Sequence, residues 1–260
     1  MQIRKQIKRG NYLLKGLIGF SSFLLIWILL TSTGLVKPFF LPSPLMVIDA
    51  IIKLFVEFNL FSDILVSIYR ILVGFILAVI VAVPIGILVG TIKSIEAYIE
   101  PVVAFVRYIP PSAFVPLSIL WFGVGDIEKF FIIFIGIAPY LIILVADVVA
   151  NVKNEFIEAG YTLGATTKQI YSKIIIPYSL PGIWDSMRLM FGAAWTFIIL
   201  VEIIAATSGL GHVIVQSQRF LQTANVIAII IIIGILGLIT DYLFKVGYKK
   251  FFPWMERVRG

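Results

Sequence analysis

The sequence is poor in the residues that cover the surface of a water-soluble protein. Only 13% of its 260 residues are charged, whereas 60% are hydrophobic and the mean hydropathy is +1.06. A soluble domain normally carries about a quarter charged residues. Cysteine is absent, which excludes disulfides and thiolate metal sites, and the single histidine, His212, has no acidic cluster beside it. We therefore predict a membrane protein, and we predict no metal site.

Six apolar stretches are long enough to cross a bilayer, which takes about 20 residues. They cover about residues 16–36, 64–92, 102–122, 130–150, 183–206 and 226–244. The third stretch differs from the others because Pro110, Pro111 and Pro116 interrupt its backbone hydrogen bonds. Such breaks are tolerated against protein or a cavity, so Pro110 and Pro111 are candidates for the lining of a pathway. A helix kink without a functional role is the alternative. The predicted fold is an all-α membrane protein with about six transmembrane helices.

Basic residues at both ends of the chain predict its orientation. The tail at 1–15 contains Arg4, Lys5, Lys8, Arg9 and Lys15 and no acidic residue, and the tail at 245–260 contains five basic residues, Arg257 and Arg259 among them. The positive-inside rule places both tails in the cytoplasm, which agrees with an even number of spans. We expect a single transmembrane domain at 16–244 in a cytoplasmic (inner) membrane. The +7 net charge is then a topology signal rather than a sign of nucleic-acid binding.

A polar segment, NEFIEAGYTLGATTKQIYSKIIIP at 154–177, separates the fourth and fifth apolar stretches. Asn154 can cap a first helix, and Gly164 can supply the left-handed conformation that ends it. Thr166 and Gln169 have the spacing of a capping box that begins a second helix. The segment is therefore predicted as two short cytoplasmic helices that meet at a glycine elbow. It is either an ordinary helical loop or a docking element for a soluble partner.

The insert resembles the E-A-A-x3-G-x9-I-x-L-P motif of the membrane permease subunits of binding-protein-dependent ABC importers. The matching residues are Glu158, Ala159, Gly160, Gly164, Ile174 and Pro177. Gly160 replaces an alanine of the motif and Ile176 replaces its leucine. Two further segments, Pro110–Asp126 and Val201–Gly211, resemble the nitrate, sulfonate and taurine branch of these permeases.

This resemblance implies a type I importer permease whose insert is a coupling helix, seated in a cleft of a cytoplasmic ATPase subunit. It implies two copies of that subunit, which would bind ATP and Mg, a second permease copy in a homodimer, and an extracytoplasmic substrate-binding protein. The chain itself would be no enzyme and would bind no cofactor. It contains no G-x4-G-K-[ST] P-loop, which agrees with a motor on another polypeptide. Among the anions that such systems carry, we expect an alkanesulfonate or a similar small organic anion.

Ionisable residues within spans cost about 2.5–3.5 kcal/mol each near the centre and usually face a bundle interior or a water-filled cavity. The fifth span carries a stripe at helical spacing, formed by Arg188, Gly192, Trp195, Ile199 and Glu202. We predict that this stripe lines the pathway and that Arg188 supplies positive potential for an anion. The alternatives are that Arg188 snorkels to the interface and that Glu202 has a structural or gating role. Arg70 and Arg107 lie nearer the span ends, where snorkelling is expected.

Other classes of membrane protein fit the sequence less well. A secondary transporter that works without an ATPase is the main alternative, but it would need inverted repeats and titratable residues near the midplane. No convincing repeat relates the two halves of the sequence. A membrane enzyme would need a nucleophile, base or metal ligands at one depth, and His212 has no such partners nearby in the sequence. A channel would not need the elaborate insert.

Overall fold

The computed structural model describes residues 9–255. Of the predicted basic tails, Arg4, Lys5, Lys8, Arg257 and Arg259 lie outside the described residues. Within 9–255 the regular structure is entirely helical, so the prediction of an all-α protein is confirmed. The α-helices are α1 (Arg9–Ser32), α2 (Pro44–Val56), α3 (Leu60–Thr91), α4 (Lys93–Arg107), α5 (Val115–Phe122), α6 (Asp126–Ala150), α7 (Asn154–Thr162), α8 (Thr167–Ile170), α9 (Ile176–Ala205), α10 (Leu210–Arg219) and α11 (Thr223–Phe251).

Five of the described helical segments are long and apolar enough to cross a membrane. They lie in α1, α3, α6, α11 and a continuous helix from Thr167 to Ala205. A sixth crossing exists if α4 and the helical segment Pro111–Phe122, which are bent by 84° at a short break, form one broken span. This bent pair corresponds to the predicted third span, but it begins at Lys93 rather than near Val102. The sequence prediction began too late because Lys93, Glu96 and Glu100 lower the hydropathy of the first turns.

The described residues divide into two compact units. The larger unit contains Phe61–Val213 and the chain from Ile232 onward. In it α3 and α6 approach closely at glycines: a Cβ added to Gly86 would lie 2.7 Å from Cβ of Val145 and 2.8 Å from the carbonyl oxygen of Ile142. No side chain fits at position 86, so the backbone of α3 packs directly against Val145 of α6.

α5, α6 and α9 meet in the core of the same unit. Val115, Ile132 and Val201, one from each helix, are fully buried against one another. The arrangement fixes α5 against α6 and α9.

The smaller unit contains the described residues up to Leu60 together with Ile214–Ile231. Ser43 caps α2 by accepting a hydrogen bond from the backbone N–H of Met46 at 3.4 Å, and Pro44 is the first helical residue. A serine cap followed by proline at the first helical position is a favourable start for a helix. The indole N–H of Trp27 donates to the carbonyl oxygen of Pro42 at 3.0 Å, which ties α1 to the start of α2.

Candidate functional site

The insert between α6 and α9 begins with α7. The prediction that Asn154 caps this helix is wrong: Lys153 occupies the cap position in extended conformation, its carbonyl accepts from Phe156 N at 3.1 Å, and Asn154 is the first helical residue. Glu155 lies in the first turn, where a negative charge interacts favourably with the helix dipole.

The predicted elbow is present at Gly164. This residue has φ of +80°, a conformation that glycine adopts without strain. The N–H of Ala165 donates to the carbonyl of Gly160 at 3.0 Å, which is the hydrogen bond that closes a helix at a left-handed residue. After the elbow, Thr166 N donates to Gln169 Oε1 at 2.8 Å and Gln169 N donates to Thr166 Oγ1 at 3.4 Å. The predicted capping box is therefore confirmed.

The second helix of the insert continues into the fifth span without a break. Between α8 and α9 the segment Tyr171–Ile175 forms a π-helical turn, in which Ile176 N donates to the carbonyl of Tyr171. Pro177 has no N–H, and the widened turn accommodates the missing hydrogen bond. The helix from Thr167 to Ala205 is 39 residues long, which corresponds to about 58 Å. In the sequence, Pro177 marks the end of the insert and gives no sign that the helix continues through it.

Four of the six predicted coupling residues line one open groove on the insert. They are Ala159, Gly160, Ile174 and Pro177. Glu158 and Gly164 are exposed but do not line it. Gly160 is buried because α7 packs on the next helical turns there: an added Cβ would meet the terminal methyl groups of Ile170 and Ile174.

The tip of the insert is apolar and exposed, whereas its base is fixed. Leu163, next to the elbow, is 88% exposed. At the base the hydroxyl of Tyr171 donates to Thr91 Oγ1 of α3 at 2.8 Å, and Ile170 is 1% exposed. The arrangement is a rigid projection with an apolar end.

The structure does not place the predicted stripe of the fifth span on one open surface. Arg188 Nε donates to Asp241 Oδ1 of α11 at 2.5 Å, and Asp241 also pairs with Lys245 at 2.7 Å. Trp195 is buried with its N–H 3.4 Å from Thr240 Oγ1. Gly192 is exposed with no atom near it among the described residues, Ile199 is half-buried and Glu202 is buried. Arg188 and Trp195 therefore face α11, while Gly192 faces away from the described part of the chain.

Glu202 belongs to a buried polar cluster whose members lie far apart in the sequence. Its carboxylate accepts from Arg70 Nη1 at 2.8 Å, from the Ser67 hydroxyl at 2.9 Å and from the backbone N–H of Gly211 at 2.9 Å. Arg70 Nε donates to Asp126 Oδ1 at 2.7 Å, and its Nη1 donates to the carbonyl of Ser208 at 2.8 Å. The cluster joins α3, α6, the end of α9 and the loop before α10.

The expectation that Arg70 snorkels is wrong, since Arg70 is only 5% exposed and fully engaged by this cluster. A sequence signal for it existed: Asp63, Ser67 and Arg70 follow one another at intervals of four and three residues in an apolar helix, so they share a face. Asp63 Oδ1 accepts from Gly209 N at 2.6 Å and Ser67 Oγ accepts from Leu210 N at 3.0 Å.

The cluster requires glycine at two positions, Gly209 and Gly211, where the loop leads into α10. Gly209 has φ of +100°, and a Cβ added to it would overlap the Glu202 carboxylate. A Cβ on Gly211 would lie 2.8 Å from the carbonyl oxygen of Ile199. The motif that resembles importer permeases therefore has a local physical reason. A side chain at Gly209 would displace the buried carboxylate, and one at Gly211 would clash with the backbone of α9.

A second buried ion pair lies at the start of α6. Lys129, 2% exposed, donates to Glu128 Oε1 at 2.9 Å and to the carbonyl of Gly125 at 2.7 Å. Its ammonium group also reaches the carbonyl of Ala205, the last residue of α9, at 3.5 Å. This pair holds the same end of α9 as the Glu202 cluster.

The proline break of the third span separates α4 from a 3₁₀ turn at Pro111–Phe114. Pro110 is exposed and Pro111 is half-buried. The last residue of α4 is Arg107, whose carbonyl accepts from the Tyr140 hydroxyl at 2.9 Å. Arg107 is the last of the fifteen residues of α4 and lies at the break itself, and the expectation that it snorkels stays a prediction. No group of three or more metal-ligating side chains occurs among the residues described.

Comparison with known proteins identifies the family. The family model described as "Binding-protein-dependent transport system inner membrane component" matches residues 82–252. The chain belongs to this family. A probable ABC transporter permease protein of Brucella abortus (strain 2308) is 36% identical over 231 residues, which are 89% of this chain and 91% of that protein.

Two further members carry a substrate in their names. A putative aliphatic sulfonates transport permease protein, SsuC, of Bacillus subtilis (strain 168) is 32% identical and covers 99% of this chain and 94% of its own. The taurine transport system permease protein TauC of Escherichia coli (strain K12) is 30% identical, covering 91% of this chain and 88% of its own. Both agree with the branch that the sequence resembles.

The fold matches a solved member of the same class of transporter. A chain of the MetNI methionine ABC transporter in an inward-facing conformation superposes with a TM-score of 0.67 at 18% sequence identity, covering 74% of this chain and 95% of that chain. The predictions of an ABC importer permease subunit and of a type I permease fold are thereby confirmed.

Proposed function

We propose that this permease forms the membrane pathway for a small organic anion, an alkanesulfonate or a chemically similar ion. An extracytoplasmic binding protein delivers the anion, and ATP hydrolysis on separate cytoplasmic subunits drives its passage. The insert α7–Gly164–α8 is the contact with those subunits. The working assembly contains two permease copies and two ATP-binding subunits, with ATP and Mg bound on the latter. Both termini of the permease lie in the cytoplasm.

The observation that carries this proposal is the construction of the insert. Its tip, Leu163, is apolar and exposed, so it leaves an unfavourable contact with water that a partner's groove would remove. Its second helix is continuous with α9 through the π-helical turn. A displacement of the tip is therefore passed directly to the fifth span rather than absorbed by a flexible loop.

The substrate class is supported by the relatives and by the charges in the spans. Two relatives are named for sulfonate substrates, one for aliphatic sulfonates and one for taurine. A sulfonate is a permanent anion with three acceptor oxygens, and a pathway for it needs basic or N–H donors. The third and fifth spans each supply an arginine that is not fully buried, Arg107 and Arg188.

Site-directed cross-linking tests the coupling contact. The chain has no cysteine, so a single cysteine at Leu163 provides a unique attachment point for a short bifunctional reagent. With ATP-binding subunits co-expressed, we expect Leu163→Cys to cross-link to them. Leu238→Cys on α11 is the matched control, since Leu238 is also exposed, at 71%, but lies in a span. It should give no such product.

Removal of the insert tip is the functional counterpart. Deleting Glu158–Gly164 should abolish uptake while the protein still inserts into the membrane, because the apolar spans are unchanged. Continued uptake by the deletion variant, or an absence of cross-links from Leu163 in the intact assembly, would remove the coupling role from the insert.

A further inference from the structure

Arg107 differs from the other arginines in the spans of the larger unit. Arg70 contacts Glu202 and Asp126, and Arg188 contacts Asp241. Within residues 9–255 no carboxylate pairs with Arg107: its Nη2 donates only to the Tyr108 hydroxyl at 3.3 Å, and its Nε is buried without an acceptor. Arg107 is thus a span cation without a counter-charge in the described chain.

Arg107 lies level with the middle of α6, a helix that is long and apolar enough to cross a membrane. Arg107 ends α4 at the break between the two halves of the third span. The Tyr140 hydroxyl, which donates to the carbonyl of Arg107 at 2.9 Å, belongs to a residue near the middle of α6 (Asp126–Ala150). A side chain at mid-span is too deep for its charge to reach the interface at no cost. Discontinuous helices in transporters commonly place ligand-binding groups at such a depth.

Arg107 is half-buried, and its guanidinium lies over an aromatic ring. Its central carbon lies 5.0 Å from the centroid of the Tyr108 ring, within the range of a cation–π contact. Tyr108 itself is 76% exposed, so this face of α4 is not covered by the described chain. A guanidinium can donate two parallel N–H bonds to two oxygens of one planar or tetrahedral anion.

Two structural roles for Arg107 fit this geometry less well. A basic residue in the last turn of a helix can bind the free carbonyls there, but no N–H of the Arg107 side chain donates to a carbonyl of α4 in the structure as described. A charge directed into lipid at this depth is strongly disfavoured. A water-filled route or a facing protein surface is what remains.

We propose that Arg107, stacked on Tyr108 at the break of the third span, binds the transported anion midway through the membrane. The inference deepens the proposed function by assigning the substrate's anionic group to a specific residue. It rests on that function for the anionic substrate and for the direction of transport. The electrostatic claim, that an open site near Arg107 attracts anions, is independent of the coupling insert.

Charged thiol reagents test the site without knowledge of the substrate. Ala104 lies one helical turn before Arg107 on the same face, and a single cysteine there is unique in the chain. The two reagents are an anionic methanethiosulfonate (sulfonatoethyl) and a cationic one (trimethylammonium), and each rate is divided by that reagent's rate with a free thiol. In membranes containing the full assembly, we expect Ala104→Cys to give a higher normalised rate with the anionic reagent. Adding Arg107→Met should lower the anion-to-cation rate ratio by about tenfold, since a unit charge at this separation acts oppositely on the two reagents.

The matched control is Arg219→Met, which removes the same charge from α10 and should leave the ratio unchanged. An unchanged ratio in Arg107→Met, or no reaction of Ala104→Cys with either reagent, overturns the proposal. If Arg107→Met instead dissociates the two permease copies without changing the ratio, Arg107 is a structural partner of the second copy and the proposal also fails.

Transport provides the second readout. With labelled taurine, ethanesulfonate and nitrate as probes, the anion that wild type accumulates should enter at least about tenfold more slowly with Arg107→Met, since a charge-assisted hydrogen bond is lost. Arg107→Lys keeps the positive charge and should keep the anion-to-cation rate ratio, but it loses the paired N–H donors of the planar guanidinium. Its uptake should therefore lie between that of wild type and that of Arg107→Met. Full uptake by Arg107→Met contradicts the assignment even if Leu163 cross-links to the ATP-binding subunit. A missing cross-link with an altered rate ratio would reject only the coupling role.

Discussion

Replacing Arg70 by methionine tests the buried cluster at the end of α9 most directly. The change removes the donor of hydrogen bonds to Asp126, Glu202 and Ser208 and leaves the packing volume nearly unchanged. Glu202, only 1% exposed, would keep its bonds to Ser67 and Gly211 but lose its counter-charge. Asp126 is half-exposed and can be solvated.

The magnitude follows from this burial. Removing one partner of a buried ion pair costs about 3–5 kcal/mol because the remaining charge stays desolvated. Arg188→Met is the matched control, since it breaks an arginine–aspartate pair whose side chains are 31% and 36% exposed. Where water reaches both side chains, such a pair is worth about 0–1 kcal/mol. The two variants remove the same side chain from two transmembrane helices and should differ in stability by about 2 kcal/mol or more.

Thermal denaturation of the detergent-solubilised protein provides the measurement. We expect Arg70→Met to lower the midpoint by several degrees and Arg188→Met to change it little. The double variant Arg70→Met, Glu202→Leu should recover part of the loss, because it also removes the uncompensated carboxylate. Equal midpoints for the two single variants would refute the argument that burial makes the Arg70–Glu202 pair contribute more to stability than the Arg188–Asp241 pair.

Three further predictions, the first with a control substitution, are tested by thermal midpoints or by uptake. Gly209→Ala should destabilise the protein by about 1–3 kcal/mol, since alanine is strained at this φ and its Cβ overlaps the Glu202 carboxylate. Gly234→Ala is the control: an added Cβ meets no described atom within 4 Å, so the change should be neutral or slightly stabilising. Equal losses of stability in the two variants would contradict the geometry. Gly160→Ala should change the stability by less than about 1 kcal/mol, because the gain in helix propensity offsets the displacement of two isoleucine methyl groups. A large loss of stability would show that those methyl groups cannot move. Arg188→Met should slow anion uptake without affecting insertion; unchanged uptake would remove Arg188 from the pathway.

The local features of the insert could be predicted from the sequence because they depend on neighbouring residues. A glycine followed two residues later by T-x-x-Q specifies a left-handed turn and a capping box whatever surrounds them. The structure shows both, at Gly164 and Thr166. Span positions were predictable for a similar reason, since length and hydropathy are summed over one continuous segment.

Contacts between distant parts of the chain could not be predicted in this way. Arg70 and Glu202 are 132 positions apart, and helical periodicity shows which residues share a face but not which helix that face meets. The stripe from Arg188 to Glu202 illustrates the limit. Periodicity groups its members correctly on α9, yet Arg188 meets α11 whereas Glu202 meets α3.

The three arginines of the spans can be ranked by the charge that surrounds them. Around Arg70 three carboxylates, Asp63, Asp126 and Glu202, outnumber one guanidinium, so this cluster repels an anion.

Arg188 is accompanied by Lys245 but faces Asp241 and, at 4.0 Å, Asp185, so two positive and two negative groups cancel there. Arg107 has no such compensation among the described residues, and it lies at the break of a span. The potential for an anion is therefore expected to be most favourable at Arg107, and only then at Arg188. Uptake measured side by side in Arg107→Met and Arg188→Met decides this order. A larger loss in Arg188→Met would show that Asp241 releases Arg188 during transport. Charge compensation in this conformation would then not rank the two sites.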